Sequence, residues 1–95
     1  MSDVTVTNNT DESRFEAHRD GEFVGFLQYV IEGNVIDLPE TRVFPHFEGQ
    51  GVASAMAKQS MDMIRAMGSE YRVIPSCSYM DIWIRRHHDY ADMRA

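Results

Sequence analysis

Two closely spaced glycines, Gly49 and Gly51, form the segment with the clearest chemical potential in this 95-residue chain. A strand-like alternation of apolar residues ends before them, and a helical period begins at Gly51. Glycine permits backbone torsions closed to other residues, and the first turn of a helix leaves N–H groups without partners. Such a turn can bind a phosphate group, although the same spacing also fits an ordinary tight strand-to-helix connection. The segment lacks the Gly-Lys-Ser/Thr ending of a P-loop and the third glycine of the dinucleotide fingerprint.

The single cysteine, Cys77, is the candidate nucleophile. It directly precedes Ser78, which together with Asp81 has the spacing of a capping box at the start of a helix. A thiol at a helix N-terminus ionises more readily and is therefore more reactive, while a buried and inert cysteine is the competing interpretation. One cysteine allows no intramolecular disulfide and supplies too little sulfur for a structural zinc site, so we expect no metal and a reducing, cytoplasmic setting.

Four strands are predicted in the first half of the chain. Apolar and polar residues alternate through this half, and tight turns are indicated at Asp20-Gly21 and at Glu32-Gly33-Asn34. Pro39 interrupts the fourth predicted strand, Val35–Val43, and indicates a bulge, an edge or a splayed end at that point.

Two helices and one short strand are predicted in the second half. One face of the first helix collects the apolar residues Val52, Met56, Met63, Ile64 and Met67, and Gly68 ends it. A short strand at Tyr71–Pro75 precedes a second helix whose apolar face holds Tyr79, Met80, Trp83 and Ile84. The order β-β-β-β-α-β-α predicts one α+β domain over residues 1–95, with a mostly antiparallel sheet and helices packed against it.

The net charge of −6 is distributed unevenly along the chain. Residues 1–49 carry three basic and ten acidic side chains, hence −7, whereas residues 50–95 carry six basic and five acidic, hence +1. This asymmetry either serves solubility alone or attracts a cationic substrate to the acidic half. With no basic stripe and no apolar run near the roughly 18 residues that cross a membrane, we expect neither nucleic acid nor a membrane as a partner. The polar, acidic N-terminus does not resemble a signal peptide.

The glycine segment resembles the pyrophosphate-binding motif of the GNAT acyltransferases, which is Arg or Gln, two residues, Gly, one residue, then Gly or Ala. The matching register is Glu48-Gly49-Gln50-Gly51-Val52-Ala53. Four further pieces occur in the order and spacing of the compact, single-domain GNAT-like N-acetyltransferases: Asp20-Gly21-Glu22, Thr41-Arg42-Val43, Val73-Ile74-Pro75-Ser76-Cys77 and His87-His88-Asp89-Tyr90. The resemblance extends from about residue 14 to residue 93. Three positions depart from it: Glu48 replaces the usual Arg or Gln, Glu40 a frequent histidine, and His88 a common proline.

This resemblance implies a minimal GNAT-like fold whose strands splay around coenzyme A, with acetyl-CoA as the co-substrate. The pantetheine arm would lie between Ile36–Val43 and Tyr71–Pro75. The residues that the resemblance assigns to CoA binding are Thr41, Arg42, Val43, Glu48, Gly49, Gln50, Gly51, Val52, Ala53, Ser54 and Arg86.

The resemblance also implies catalytic roles for Cys77 and Tyr79 near the acetyl thioester. Cys77 would either accept the acetyl group covalently or protonate the departing thiolate. Tyr79 would protonate the thiolate, unless it is simply a core aromatic residue. Glu40 and His46 are candidates for the general base.

The expected activity is transfer of acetyl to a primary amine of a small molecule or a protein, by a monomer or weak homodimer. The alternative is a non-catalytic CoA-binding or protein-interaction module.

Overall fold

The computed structural model describes residues 3–95 as a five-stranded sheet with two helices. The elements are β1 (Thr5–Asn9), β2 (Arg14–Arg19), β3 (Glu22–Glu32), β4 (Val35–Val43), α1 (Val52–Met67), β5 (Arg72–Ile74) and α2 (Ser78–Arg86), with 3₁₀ turns at Pro45–Phe47 and His88–Met93. The strands lie side by side in chain order, antiparallel from β1 to β4, and β5 runs parallel to β4. The predicted α+β class and element order are therefore confirmed. No helix within residues 3–95 is long and apolar enough to cross a membrane.

The hydrophobic core lies between α1 and one face of the sheet. The helix buries Val52, Met56, Ala57, Ser60, Met61 and Ile64. The prediction for this helix was wrong at Met67, which is 41% exposed because it ends the helix, and it missed Met61, which is fully buried. A helix that packs on a broad sheet buries a wider stripe than the narrow apolar face read from the sequence.

Gln59 of α1 attaches the edge strand β1 to the helix. Its side-chain oxygen accepts a hydrogen bond from the Val6 N–H at 3.0 Å, and its amide nitrogen donates to the Val4 carbonyl at 2.8 Å. These bonds satisfy backbone groups that the open edge of a sheet would otherwise leave unpaired.

Strand β4 contains one extra residue next to Pro39. Gln28 of β3 pairs with Glu40, and Val30 pairs with Asp37, so three steps along β4 match two steps along β3. This is the geometry of a β-bulge, and it reverses which side chains face the core beyond that point. The irregularity that Pro39 predicts is confirmed.

The bulge turns Thr41 and Val43 toward the helices. Thr41 lies opposite Leu27, which is fully buried, and Val43 lies opposite Gly25. Residues directly opposite each other in an antiparallel pair share a face of the sheet. Thr41 and Val43 therefore face the side that carries α1 and α2, while the neighbouring Arg42 faces the other side.

Strands β4 and β5 separate soon after they meet. Their pairing covers only Val35 to Asp37 on β4, and the last contact is a hydrogen bond of 3.0 Å from the Cys77 N–H to the Leu38 carbonyl. Beyond that bond, β4 continues to Val43 with β3 on one side and no strand of residues 3–95 on the other. The splayed arrangement thus begins at Leu38 and Cys77.

Candidate active site

The glycine loop begins helix α1 without any side-chain cap. Gly49 and Gly51 have φ angles of +76° and +80°, and Gly51 is the N-cap residue. The Ala55 N–H donates to the Gly51 carbonyl at 3.1 Å, so the N–H groups that precede it lie in the unpaired first turn. A Cβ atom at either glycine would meet nothing within 4 Å. The loop therefore presents backbone donors and the positive end of a helix dipole to a ligand.

A cleft of about 210 Å³ joins the glycine loop to β4 and α2. Its walls are Val43, Phe47, Glu48, Gly49, Gly51, Val52, Ala53, Ser54 and Tyr79. Seven of these nine residues belong to the predicted CoA-binding set, and Tyr79 is one of the two predicted catalytic residues. Residues from the glycine loop, β4 and α2 thus converge on one cleft.

Ser54 connects this cleft to a second recess along α2. The Trp83 indole N–H donates to the Ser54 hydroxyl at 3.3 Å, which leaves the hydroxyl proton free to donate elsewhere. The recess, about 380 Å³ in volume, is lined by Ser54, Tyr79, Ile82, Trp83, Arg86 and His87. The predicted phosphate ligand Arg86 thereby adjoins the glycine-loop cleft. Nothing in the sequence pattern marked Trp83 as more than a core residue, since its indole contact spans 29 positions.

Tyr79 lies at the mouth of the cleft, not in the core. Its side chain is 38% exposed, so its assignment to the buried face of α2 was wrong, while Met80, Trp83 and Ile84 are buried as expected. Partial burial raises the pKa of the Tyr79 hydroxyl, and the nearby Ser54 hydroxyl offsets part of this effect. The phenol consequently keeps its proton at neutral pH and is able to donate it.

Cys77, not Ser78, is the residue that caps α2. Its Sγ accepts a hydrogen bond from the Met80 N–H at 3.4 Å, and the chain at Cys77 is extended. The capping box predicted from Ser78 to Asp81 is therefore wrong: the cap lies one residue earlier, and the Met80 side chain at the third helical position cannot complete a box. The thiol also lies 3.1 Å from the Thr41 hydroxyl, an approach made possible by the bulge in β4. Cys77 is a half-buried free thiol at the point where β4, β5 and α2 meet.

The structure separates Arg42 and Gln50 from the cleft walls. Arg42 forms an ion pair of 2.8 Å with Glu40. Both line a neighbouring recess of about 490 Å³, which also contains Thr41 and shares Val43 and Glu48 with the cleft. The Gln50 side chain accepts a hydrogen bond from Arg19 at 2.6 Å and donates to the His46 carbonyl at 3.0 Å. Sequence reasoning missed Arg19, which is 31 positions from its partner and carries no motif.

Within residues 3–95, no group of three or more His, Cys, Asp or Glu side chains is placed to hold a metal ion. The histidine next to Trp83, His87, instead stacks on the indole at 3.9 Å and bonds to its carbonyl at 2.7 Å.

The family model described as GCN5-related N-acetyl-transferase matches residues 14–93. The chain belongs to the GCN5-related N-acetyltransferase family. Members of this family use acetyl-CoA as co-substrate. A search of curated protein sequences found no match.

Two solved structures share the GCN5-related fold. The solution structure of a GCN5-like protein from Staphylococcus aureus, proposed to be an N-acetyltransferase, superposes with a TM-score of 0.71 at 22% identity, covering 100% of this chain and 91% of that one. The crystal structure of Ard1 from Thermoplasma volcanium superposes with a TM-score of 0.57 at 18% identity, covering 82% of this chain and 55% of that one. At these identities the likeness establishes the fold, and our chain spans about half the length of the Ard1 protein.

The residues of the cleft fit the diphosphate of acetyl-CoA in one respect and oppose it in another. The uncapped start of α1 and the two glycines without Cβ atoms suit an anion. The Glu48 carboxylate lines the same cleft and repels one. Backbone donors, and not a side chain at position 48, would therefore hold the diphosphate.

Proposed function

We propose that this protein transfers an acetyl group from acetyl-CoA to a primary amine in the cleft between the glycine loop, β4 and Tyr79. The observation that supports this most strongly is the convergence of Val43, the uncapped start of α1 and Tyr79 on that one cleft. An anion-binding helix start beside a neutral phenol provides both a place for the phosphates and a proton donor for the leaving group.

The proposed position of acetyl-CoA follows from the distribution of donors. The backbone N–H groups at Gly51 to Ala53 and the Ser54 hydroxyl would bind the diphosphate. The edge of β4 from Thr41 to Val43, which has no neighbouring strand, would bind the amide groups of the pantetheine arm, as an added strand would. Arg86 would bind the nucleotide end of the molecule.

In the proposed reaction, the ammonium group of the acceptor first loses a proton to solvent. Its neutral nitrogen then attacks the carbonyl carbon of the thioester and forms a tetrahedral intermediate. The carbon–sulfur bond then breaks, and Tyr79 gives its phenolic proton to the departing sulfur. The extra proton of the amine passes to solvent, which returns a proton to Tyr79, so that CoA thiol and the acetamide are the products. Glu40 has no role in this scheme because it pairs with Arg42 and does not line the cleft.

Cys77 offers a second route for the same overall transfer. Its thiolate would attack the thioester, form an acetyl-cysteine and release CoA as a thiolate, which takes up a proton from solvent. A neutral amine would then take the acetyl group, lose its extra proton to solvent and regenerate the Cys77 thiolate. The Met80 N–H, which points at Sγ, and the Thr41 hydroxyl would both stabilise a negative sulfur. The two routes differ in one observable intermediate.

The proposed acceptor is a cationic primary amine, on a small molecule or a protein. Residues 1–49 carry a net charge of −7, which would favour the approach of a cation. The proposed setting is the cytoplasm, with the protein acting as a monomer or a weak homodimer.

One observation favours a second candidate, a CoA-binding module without catalysis. Glu48 stands in the cleft where the family motif has Arg or Gln, so the charge that would hold acetyl-CoA during turnover is reversed. Such a module would bind CoA and leave amines unchanged.

Intact-mass spectrometry of the protein mixed with acetyl-CoA tests both the transfer and its route. We expect acetylation of an added polyamine by the wild type, with a loss of about 10²- to 10⁴-fold in rate for Tyr79→Phe, the range of general acid catalysis. A 42-Da adduct on the wild type, absent from Cys77→Ala and removed by the amine, would establish the covalent route; the mass is roughly that of an acetyl group replacing a proton. Binding of CoA without acetylation of any amine would establish the module instead.

A further inference from the structure

Arg19 is the cation that the structure attaches to the glycine loop. It lies at the end of β2, where the hairpin to β3 begins, and its Nη1 donates to the Gln50 side-chain oxygen at 2.6 Å. Its Nη2 makes a longer contact of 3.4 Å with the Gln50 backbone carbonyl. Of the cations in residues 3–95, only Arg19 makes a hydrogen bond to the segment Glu48–Gly51 in this structure.

The Gln50 side chain forms hydrogen bonds on both sides of the glycine loop. While its oxygen accepts from Arg19, its amide nitrogen donates to the His46 carbonyl at 3.0 Å. The loop is thus tied at its tip to the hairpin and at its start to the turn Pro45–Phe47. The two glycines on either side of Gln50 carry no side chains that would restrict the loop, so the two bonds of the Gln50 side chain add a restraint that the glycines cannot supply.

Arg19 also retains hydrogen-bonding capacity that no protein group uses. A guanidinium has five N–H donors, and the Arg19 Nε is buried without a partner. An unpaired buried donor of a charged group is costly, so its retention next to an anion-binding loop requires an explanation beyond packing.

We propose that Arg19, acting through Gln50, is the positioning residue that replaces the cation missing at Glu48. It would hold the glycine loop in the conformation that presents its N–H groups to the CoA diphosphate. A loop held in its bound conformation binds a ligand with a smaller entropic cost. This inference rests on the proposed binding of acetyl-CoA.

Calorimetric titration of the folded protein with CoA tests the proposal through Arg19→Gln, Gln50→Ala and the double variant. We expect each single change to raise the Kd for CoA roughly tenfold, the size of one hydrogen bond to a charged group. Because both changes break the same restraint, the double variant is expected to be no weaker than either single variant. Equal affinity of Arg19→Gln and wild type, or additive losses in the double variant, would overturn the proposal.

Two controls separate this role from a general loss of structure. Arg14→Gln removes the same charge from the same strand, but Arg14 contacts Glu16 and the Phe26 ring and should leave the CoA affinity unchanged. S-acetylpantetheine is the thioester end of acetyl-CoA without any phosphate. It should bind more weakly than CoA, and its Kd, measured by NMR titration, should be the same for wild type and Arg19→Gln. An equal loss of affinity for CoA and for S-acetylpantetheine in Arg19→Gln would show general damage to the structure and would overturn the proposal.

A third variant covers the case in which Arg19→Gln fails to fold. Arg19→Lys keeps the aliphatic stem and the charge but loses the forked geometry, so we expect an intermediate Kd for CoA. A wild-type Kd for Arg19→Lys would contradict the bidentate restraint. Failure of the wild type to bind CoA at all would instead contradict the proposed function, and the two failures are therefore distinguishable.

Discussion

At the scale of single residues, two adjacent arginines near the end of α2 have opposite surroundings. Arg85 forms an ion pair of 3.2 Å with Asp81, whereas Arg86 has no ion-pair partner in residues 3–95 and lines the recess next to Ser54. If the glycine loop binds the diphosphate, Arg86 is placed for the remaining phosphate of CoA, on the ribose. The two residues therefore form a natural pair of test and control.

We predict that Arg86→Ala raises the Kd for CoA about fivefold and leaves the Kd for dephospho-CoA unchanged. The size corresponds to about 1 kcal/mol, as expected for an exposed charged contact. Arg85→Ala should alter neither Kd, because its guanidinium is paired with Asp81. Calorimetry with the two ligands measures the effect, and equal losses for both ligands in Arg86→Ala would show that this arginine does not recognise the ribose phosphate.

At the scale of elements, the 3₁₀ turn His88–Met93 is fastened to helix α1. The Tyr90 hydroxyl donates to Asp62 at 2.7 Å, and Arg65 binds both carboxylate oxygens of Asp92 at 3.0 and 3.1 Å. The same turn packs Tyr90 against Trp83, with ring centroids 5.1 Å apart. Through Trp83 it supports the Ser54 hydroxyl in the cleft.

Asp62 makes this attachment sensitive to acid. Burial alone would raise the pKa of the Asp62 carboxyl, but hydrogen bonds from Tyr90 and Lys58, together with the charges of Lys58 and Arg65, lower it below 3.8. A lowered pKa means that the stabilisation is fully present above pH 3.8 and is lost as the pH falls through the folded-state value.

We predict that Asp62→Asn lowers the free energy of unfolding at pH 7 by at most about 1 kcal/mol, because the carboxylate is half exposed and solvent screens it. The variant should also lose less stability than wild type between neutral pH and the acid range. Urea unfolding at a series of pH values measures both. Asp89→Asn is the control, since its carboxylate makes no hydrogen bond in residues 3–95, and a parallel acid dependence of wild type and Asp62→Asn would refute this account.

The sequence predicts those elements whose signals are local. Neighbouring residues are enough to predict the turns at Asp20-Gly21 and Glu32-Gly33, the glycine loop, and the order of strands and helices along the chain. The structure contains all of these features. Pro39 indicates an irregularity, but only the strand register shows that it turns Thr41 toward Cys77.

Contacts between distant segments are the part of the site that the sequence does not reveal. Arg19 and Gln50 are 31 positions apart, and Trp83 and Ser54 are 29 apart. Tyr79 has the helical spacing of a core residue and is nevertheless 38% exposed, because it lines the open glycine-loop cleft. Periodicity identifies the apolar face of a helix, but it cannot show which residues of that face pack against the rest of the protein.

At the scale of the whole molecule, the walls of the glycine-loop cleft lie on the helix-bearing side of one sheet, whereas Arg42 faces the other side. The radius of gyration is 12.6 Å, close to the roughly 12.4 Å expected for a compact chain of this length, so a single core accounts for the fold. The glycine-loop cleft and the recess along α2 are surface features that share Ser54 and Tyr79. Acetyl-CoA would therefore lie across the surface, with its phosphates at α1 and its thioester near Cys77.

The most direct test is an NMR titration of the ¹⁵N-labelled protein with acetyl-CoA. The account predicts the largest amide shifts at Gly49, Gly51 and Ala53, with further shifts at Val43 and Tyr79. It also predicts a rise in melting temperature, since a ligand at 100 times its Kd contributes about 2.7 kcal/mol. Shifts confined to the recess beside Arg42, or no shifts at saturating acetyl-CoA, would contradict it.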